Sequence, residues 1–372
     1  MNLRIERLRG PEAWTSVMTE WETLDAQIFP RTPFTSPLWI SLWWNHLRRQ
    51  QPLLRDEFFG HIMRDANGHL VAIAPLMRTH CPGVGPLGMR IVQFFGTDPS
   101  ITELRGVICL PEHQRKVIQA LAEHFRQHRG EWDMIKWNGL RDEASSYTTP
   151  ANCCELIAAR SLPDYVLMLP QSWDKMRSSI SANMRKNVRK AYEFLERDGH
   201  RFVFRAVERP ADVPAALDRF FKLHAARSEA ADMINHPDRF AAPRNRAFLR
   251  EYVHHMAESG QLRLFELEIG GTVIASRLAF LLGPELYMYF SGYDPSWRQY
   301  SVMTVLVSEM IKWAIEHGLK RVNLSTGNDQ SKLRWKPDEI LFHDAIQIAP
   351  STRGQCMFHA YTAFKHFHDW RR

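Results

Sequence analysis

The stretch Leu286-Tyr-Met-Tyr-Phe-Ser-Gly-Tyr-Asp-Pro-Ser-Trp-Arg-Gln-Tyr-Ser-Val-Met-Thr-Val-Leu-Val-Ser-Glu-Met-Ile-Lys-Trp-Ala-Ile-Glu-His-Gly-Leu319 reads as a strand, a polar turn, an amphipathic helix and a stop. The aromatic and apolar run Leu286 to Phe290 has strand composition and ends at Gly292 and the turn pair Asp294-Pro295. Val302, Val305, Leu306, Met310, Trp313 and Ala314 fall on one stripe at helical spacing, with Gly318 just past the end. A second strand, Arg321-Val-Asn-Leu-Ser325, follows at once. In a parallel strand-helix-strand unit the turn entering the helix opens at the carboxyl edge of the sheet, where α/β folds bind ligands.

That turn, Trp297-Arg-Gln-Tyr-Ser301, leads into a helix whose first N–H groups have no partner within the helix. Those donors, the positive end of the helix dipole and the Arg298 side chain together favour a phosphate or pyrophosphate. The alternative is a plain connection in which Ser301 or Thr304 caps the helix. No glycine lies between Arg298 and Met303 to bring the backbone close to a ligand.

A length of 372 residues points to two domains, each able to bury its own core. An apolar fraction of 45% with 24% charged residues is that of an ordinary globular protein. The absence of a long apolar run, and of an apolar segment near Met1, leads to the expectation of a cytoplasmic protein. Cys81, Cys109, Cys153, Cys154 and Cys356 form an odd set without Cys-x-x-Cys spacing, which reads as reduced thiols and argues against a structural metal. The net charge of +7 fits anionic partners: acyl-CoA, a carrier protein, anionic lipid or RNA.

In chain order, Leu3 to Leu8 alternates as a strand, and Pro11 opens a helix running to about Gln27. Ser36 is placed as N-cap and Pro37 at the first turn of a Trp-rich helix. Phe58 to Arg78 reads as a hairpin about Asp65-Ala-Asn-Gly68, and Gly83 to Gly88 as a loop. Strands follow at 90–95 and 105–110, then a helix from Pro111 to about His128 and a strand at 132–137. A loop-like region from Asn138 to Pro163, carrying Cys153-Cys154, holds the domain boundary. Beyond it come a strand from Tyr165, a helix start at Ser172 and a basic amphipathic helix from Ser181 to Gly199. Its cations Arg185, Lys186, Arg189 and Lys190 crowd the helix half where a positive charge is unfavourable, so a partner anion there would relieve them. A solvated face is the other reading. A strand at 202–207, helices at 213–229 and 246–259, and long strands at 262–269 and 272–282 joined by Gly270-Gly271 lead back to the opening stretch. The order is that of a mixed sheet split near its middle.

Several landmarks carry a family resemblance: Met184-Arg-Lys-Asn-Val-Arg-Lys190, Leu223-His-Ala-Ala-Arg227, Gly270-Gly-Thr-Val-Ile-Ala275, Gly292-Tyr-Asp-Pro295 with Tyr300-Ser301, Gly318-Leu-Lys-Arg-Val-Asn-Leu324, and Gly327 followed by Ser331-Lys332. From about Tyr165 to Ile348 the chain resembles the GNAT acyltransferase superfamily, in the branch of CelD-like proteins associated with bacterial cellulose and exopolysaccharide synthesis. That branch also resembles the Fem-type peptidyltransferases in having two GNAT-like folds. The first half fits through Pro33-Phe-Thr-Ser-Pro-Leu-Trp39 and Phe94-Phe-Gly-Thr97. The resemblance implies an α/β protein (an α+β mixed sheet) of two tandem GNAT-like acyl-CoA N-acyltransferase folds. Residues 1–160 would be a degenerate copy and residues 161–372 the acyltransferase domain.

The resemblance also implies a donor, acetyl-CoA or another acyl-CoA, with acyl carrier protein as an alternative. Its pyrophosphate would lie on Arg298, Gln299, Tyr300, Ser301, Val302, Met303 and Thr304. Here the chain departs from the pattern, because the superfamily usually has glycine where Ser301 and Met303 stand. Direct acyl transfer needs a base for the nucleophile, donors for the carbonyl oxygen and an acid for the leaving thiolate. His224 is the candidate base, since an imidazole titrates near neutrality and lies one helical turn from Arg227. Tyr287 and Tyr289, which share a strand face, and Tyr300 in the turn are the candidate acids, Tyr289 foremost; Lys332 is placed to meet an anionic group. Arg227, Asp294, Asn323, Arg185 and Lys186 are candidate substrate contacts.

Three functions compete: an acyltransferase acting on an amine, lipid or glycan acceptor, a non-catalytic accessory of an exopolysaccharide system, and a Fem-like aminoacyl transferase. Contact with an anionic membrane or a carrier protein suits the charge. No aromatic-interleaved basic platform accompanies the basic helix, which argues against nucleic acid. The acyltransferase reading expects a V-shaped gap between Leu286–Phe290 and Arg321–Leu324, opening beside Arg298, with the basic helix at its entrance.

Overall fold

The computed structural model of the chain describes residues 2–81, 88–98, 101–147, 156–230 and 236–370. Residues 83–87 of the expected loop and the Cys153-Cys154 pair lie outside them. The chain divides into two compact units, one of residues 1–29, 34–162 and 341–372, the other of residues 30–33 and 163–340.

In the first unit, β1 (Arg4–Arg7) precedes a 3-10 turn at Pro11–Val17 that becomes α-helical only over α1 (Met18–Asp25). Pro37 opens α2 (Pro37–Leu47), and the Ser36 hydroxyl accepts from Trp39 N–H at 3.2 Å, as an N-cap should. Strands β2 (Gln50–Gln51) and β3 (Leu54–Phe58) lead to the hairpin β4 (His61–Arg64) and β5 (Leu70–Ala74). Asp65 fixes the hairpin turn by accepting from the N–H groups of Asn67 and His69, both at 2.9 Å. Pro75 then redirects the chain into β6 (Leu76–Cys81), so the expected hairpin feeds two sheets. After β7 (Met89–Phe94), the strand expected at 105–110 is reduced to β8 (Ile108–Cys109). Helix α3 (Pro111–Gln127) lays Val117, Ile118, Leu121 and Phe125 on Val92, Ile135 and Trp137 and crosses over to β9 (Met134–Leu140). Each such buried side chain contributes about 1.5–3 kcal/mol.

The second unit begins within β10 (Ile157–Met168) and continues through α4 (Trp173–Ser179), α5 (Ala182–Arg197), β11 (Phe202–Val207), α6 (Val213–Ser228) and α7 (Pro243–Glu258). Strands β12 (Leu262–Ile269), β13 (Thr272–Leu282) and β14 (Glu285–Tyr293) form an antiparallel meander. Helix α8 (Val302–Glu316) then returns the chain to β15 (Arg321–Thr326), parallel to β14. A short α9 (Gln330–Leu333) follows. The sheet order is β11-β12-β13-β14-β15-β10. One face is covered by α5 and α8, whose Val188, Leu195, Val305, Leu306 and Met310 join Phe265, Met288 and Val322 in a single core.

The last elements, β16 (Asp338–Ile348) and α10 (Thr352–Trp370), correct the expected boundary. From Leu341 on, the chain belongs to the first unit rather than to a domain of residues 161–372, because β16 pairs antiparallel with β9. The first unit therefore has the order β16-β9-β7-β6-β3-β2, with a small separate sheet β1-β4-β5-β8. Each unit thus repeats one plan: a meander, a crossover helix, a parallel strand and an outer antiparallel strand.

The two parallel pairs differ. In the first unit β7 and β9 pair at Ile91–Met134, Val92–Ile135 and Gln93–Lys136. Just beyond, the Arg105-Gly106 backbone packs on Asn138-Gly139. A Cβ on Gly106 would lie 2.6 Å from the Asn138 carbonyl oxygen, and one on Gly139, at φ +66°, 2.4 Å from that of Arg105. The first unit is closed at that point by its own chain.

Candidate active site

In the second unit β14 pairs with β13 from Leu282–Glu285 to Ala275–Tyr293, with one extra residue in β14 between Met288 and Ser291. This bulge at Tyr289-Phe290 bends the strand. On its other side β14 pairs with β15 only at Glu285–Arg321, Leu286–Val322 and Tyr287–Asn323. Past Asn323, β15 stays with β10, where Asp164 lies opposite Thr326. The two central strands therefore part beyond Tyr287 and Asn323. A gap opens toward their carboxyl ends, and the β14 edge facing it keeps backbone groups unused by the ladder.

Helix α6 holds β14 in its bent course. Gly292 lets the helix come so close that a Cβ there would lie 2.3 Å from His224 N and 2.4 Å from Leu223 C. His224, buried among Phe220, Phe240 and Phe290, donates its Nδ1–H to the Ser291 carbonyl at 2.9 Å. Its Nε2 then accepts from Arg239 N–H at 3.4 Å. Burial lowers its pKa, so the ring is neutral at pH 7. Both nitrogens are engaged within the fold, which makes His224 a brace of the bulge. Tyr289 is buried beside Phe280 and Phe290.

The turn after β14 is a 3-10 segment, Pro295–Tyr300, capped by Asp294, whose carboxylate accepts from Ser296 N–H at 3.0 Å and Ser296 Oγ at 2.8 Å. Asp294 is thus committed to the turn. Tyr300 donates its hydroxyl to Asp198 at 3.0 Å and meets His200 Nε2 at 3.2 Å, tying the turn to the end of α5. Ser301 takes the left-handed conformation, φ 53° and ψ 42°, which costs a non-glycine residue about 1–2 kcal/mol. Such strain concentrates at functional sites. The first N–H within α8 to find a carbonyl of the turn is that of Thr304, on Ser301 O at 2.8 Å, so Val302 and Met303 N–H precede the helical ladder. Met303 is half-buried and packs its side chain on the core beneath α8. Arg298 and Gln299 are exposed beside these donors.

At the end of β15 a polar network replaces regular pairing. Asn323 donates to Asp164 Oδ2 at 2.9 Å and accepts Ser325 N–H at 2.7 Å, holding Ser325 at φ +69°. Lys332 Nζ donates to Ser325 Oγ, Ser325 O and Thr326 O at 3.0, 3.2 and 2.6 Å. Asp164 is fully buried, its Oδ1 has no hydrogen-bond partner, and burial pushes its carboxyl up to about 6. Across the gap, Arg227 on α6 donates to Ser291 Oγ and to His236 Nε2, both at 2.9 Å.

The structure thus brings Arg227, Asn323, Lys332 and the turn from Arg298 to Thr304 to the carboxyl end of one sheet. It does not bring Arg185 and Lys186 there. Tyr192 of α5 bonds Glu309 and Lys312 while Asp198 bonds Tyr300, so α5 runs antiparallel to α8. The exposed basic half of α5 points away from the turn, about 20 Å along the helix from Asp198. Sequence reasoning missed Asp164, His236, Ser291 and Asp329. Asp164 lay one residue outside the strand read from Tyr165, and the other three have no pattern that marks them.

Among the described residues no group of His, Cys, Asp and Glu is disposed to hold a metal ion, and no helix is long and apolar enough to cross a membrane. The first unit carries an open cavity of 870 Å³ beside Glu143, Ser145, Arg160, Ser161, His343 and Asp344, in which Arg160 and Asp344 pair at 2.6 Å.

A family model described as an acetyltransferase (GNAT) domain matches residues 182–336, all within the second unit. No curated protein matches the chain in sequence. FemX superposes with a TM-score of 0.54 at 9% identity, over 92% of this chain and 97% of its own. A conserved protein of unknown function from Bacteroides thetaiotaomicron VPI-5482 does so with a TM-score of 0.50 at 12% identity, over 89% and 97%. At these identities the likeness is one of fold. Residues 182–336 thus match an acetyltransferase (GNAT) domain, and the chain shares a mixed α/β fold with FemX.

Proposed function

We propose that the protein transfers an acyl group from a CoA-type thioester to an amine or hydroxyl acceptor in the gap of the second unit. The observation that carries this is the parting of β14 and β15 at the start of α8, where unpaired N–H groups lie beside Arg298. Val302 and Met303 N–H would take the pyrophosphate, with Arg298 as counter-charge. The unpaired β14 edge past Tyr287 would hold the donor's amide-bearing arm as an added strand does. The thioester supplies an activated carbonyl; the chain would supply backbone donors for its oxygen at the bulge. The inward-packed Met303 side chain suits this reading, since it leaves the turn clear in spite of the missing glycines.

The finer parts rest on the resemblance together with this geometry. They are two tandem GNAT-like copies with the first closed at Arg105-Gly106, acceptors from polysaccharide or cell-envelope synthesis, a cytoplasmic site of action, and acyl carrier protein as an alternative donor. Calorimetry with acetyl-CoA tests the reading. Arg298→Ala is expected to weaken binding about fivefold, roughly 1 kcal/mol, because the exposed guanidinium is screened, and the difference should shrink at high salt. Wild type without detectable binding to acetyl-CoA or an acylated carrier would leave the non-catalytic accessory role.

A further inference from the structure

Among the described residues of the candidate site, the Arg227 guanidinium is paired with no carboxylate. Arg227 stands where α6 meets the β14 bulge, with its guanidinium between Ser291 Oγ and His236 Nε2 and near the Tyr293 ring, 5.9 Å from its centroid. These partners are neutral oxygen, nitrogen and π groups. Among the described residues no carboxylate pairs with the guanidinium, and its Nε is buried without an acceptor. Burial pulls its pKa below the ordinary arginine value, the mark of a desolvated cation. His236 cannot share the charge: burial and then Arg227 itself push its pKa down, so it serves as a neutral acceptor that orients the fork. Asp329, within electrostatic reach of both, is committed to Ser331 N–H at 2.8 Å as the cap of α9.

Other arginines against the same sheet are paired with carboxylates. Arg321 pairs with Glu285 at 2.9 Å, and Arg205 and Arg219 share Glu266 at 2.9 and 2.7 Å. A buried cation that lacks such a partner is costly, and a bound anion removes the cost. Lys332, on the opposite wall, is a second cation at the same end of the gap, held by carbonyl and hydroxyl oxygens. The guanidinium keeps N–H groups beyond the two that Ser291 and His236 use, in the planar fork that suits a carboxylate or phosphate.

We propose that the acceptor carries an anionic group, a carboxylate or a phosphate, close to its nucleophile, and that Arg227, braced by Ser291 and His236, receives that group. This rests on the acyl-transfer reading for the word acceptor alone; binding of the anion does not require a donor. The selectivity is for a charged small molecule or the charged end of a larger one, and a neutral amine or alcohol is a poor ligand.

The test uses ethanolamine, β-alanine and phosphoethanolamine, which share an aminoethyl group and differ in the anion. Binding to the full chain is measured by calorimetry without donor at constant ionic strength. One or both anionic probes are expected to bind at least tenfold more tightly than ethanolamine, the stronger naming carboxylate or phosphate. Arg227→Met should abolish the preference, Arg227→Lys should retain part of it, and Lys190→Ala, on the exposed basic half of α5, should leave it unchanged. If Arg227→Met fails to fold, the lysine variant and His236→Gln, which keeps a neutral acceptor, decide. Equal binding of the three probes, no binding of any, or a preference that survives at Arg227→Met overturns the proposal. Loss of the preference in Arg298→Ala would put the anion at the α8 turn and overturn it as well. Acetyl-CoA titrated into the same preparation separates the outcomes, since failure there with the anion preference intact sinks the donor reading alone.

Discussion

Gly292→Ala is expected to destabilise the second unit by about 3 kcal/mol, at the upper end of what overpacking a close-packed contact costs. The new methyl would meet the backbone of His224 and Leu223 at 2.3 and 2.4 Å, and helix backbone cannot move aside as a side-chain tip can. Relief requires α6 to withdraw from β14, which breaks the His224 bond to Ser291 and loosens the bulge. Gly270→Ala is the control. Gly270 has φ +57° with open space around it, so it should lose only the left-handed penalty of about 1 kcal/mol. Denaturant unfolding checks both. A Gly292→Ala loss no larger than that of Gly270→Ala would mean that α6 does not press on β14 as described.

Asp164→Asn is expected to stabilise the protein at pH 7. A carboxyl held at about 6 in the fold and near 3.8 when unfolded is worth about 3 kcal/mol against folding once it ionises. Its unfavourable contribution is absent below the unfolded value and grows as pH rises through the folded one. The amide in Asp164→Asn keeps an acceptor for Asn323 and places an NH2 where Oδ1 has no partner, which returns part of the gain. A net gain of roughly 2 kcal/mol at pH 7 is expected, vanishing or reversing near pH 4. Unfolding of both proteins across pH 4–7 measures the difference curve. A variant less stable at pH 7, or a difference flat in pH, would show that the buried carboxyl is compensated. Such a group, kept at a cost to stability beneath the gap, fits a site shaped for function.

Periodicity and turn chemistry carried the second unit. The strands at 202–207, 262–269 and 272–282 stand where alternation and Gly270-Gly271 put them, and α4 and α5 start as expected at Ser172 and Ser181, whose hydroxyls prove to be their caps. Long-range pairing was illegible. Ile157 to Pro163 lacks strand composition and belongs to β10, while β16 and α10 join the first unit through partners two hundred residues away in sequence. The same limit applied to the site. The turn at Arg298 to Thr304 was readable because a helix start has a local signature. His224 looked catalytic because a helical histidine one turn from an arginine is a local pattern, and only the fold reveals that its Nδ1 holds the Ser291 carbonyl and its Nε2 the Arg239 N–H. Asp164, Ser291 and His236 meet their partners only in three dimensions. The basic half of α5 was read for its charge, which says nothing about which way the helix runs against α8.

The central claim is that the gap between β14 and β15, entered over the start of α8, is the donor site. Backbone amide hydrogen exchange with and without saturating acetyl-CoA tests it most directly, because the proposed contacts are backbone groups. The account predicts new protection confined to Ser301–Val305 and to Met288–Tyr293, with the first unit unchanged. Protection absent from both segments, or concentrated around the cavity beside Arg160 and Asp344, would contradict it.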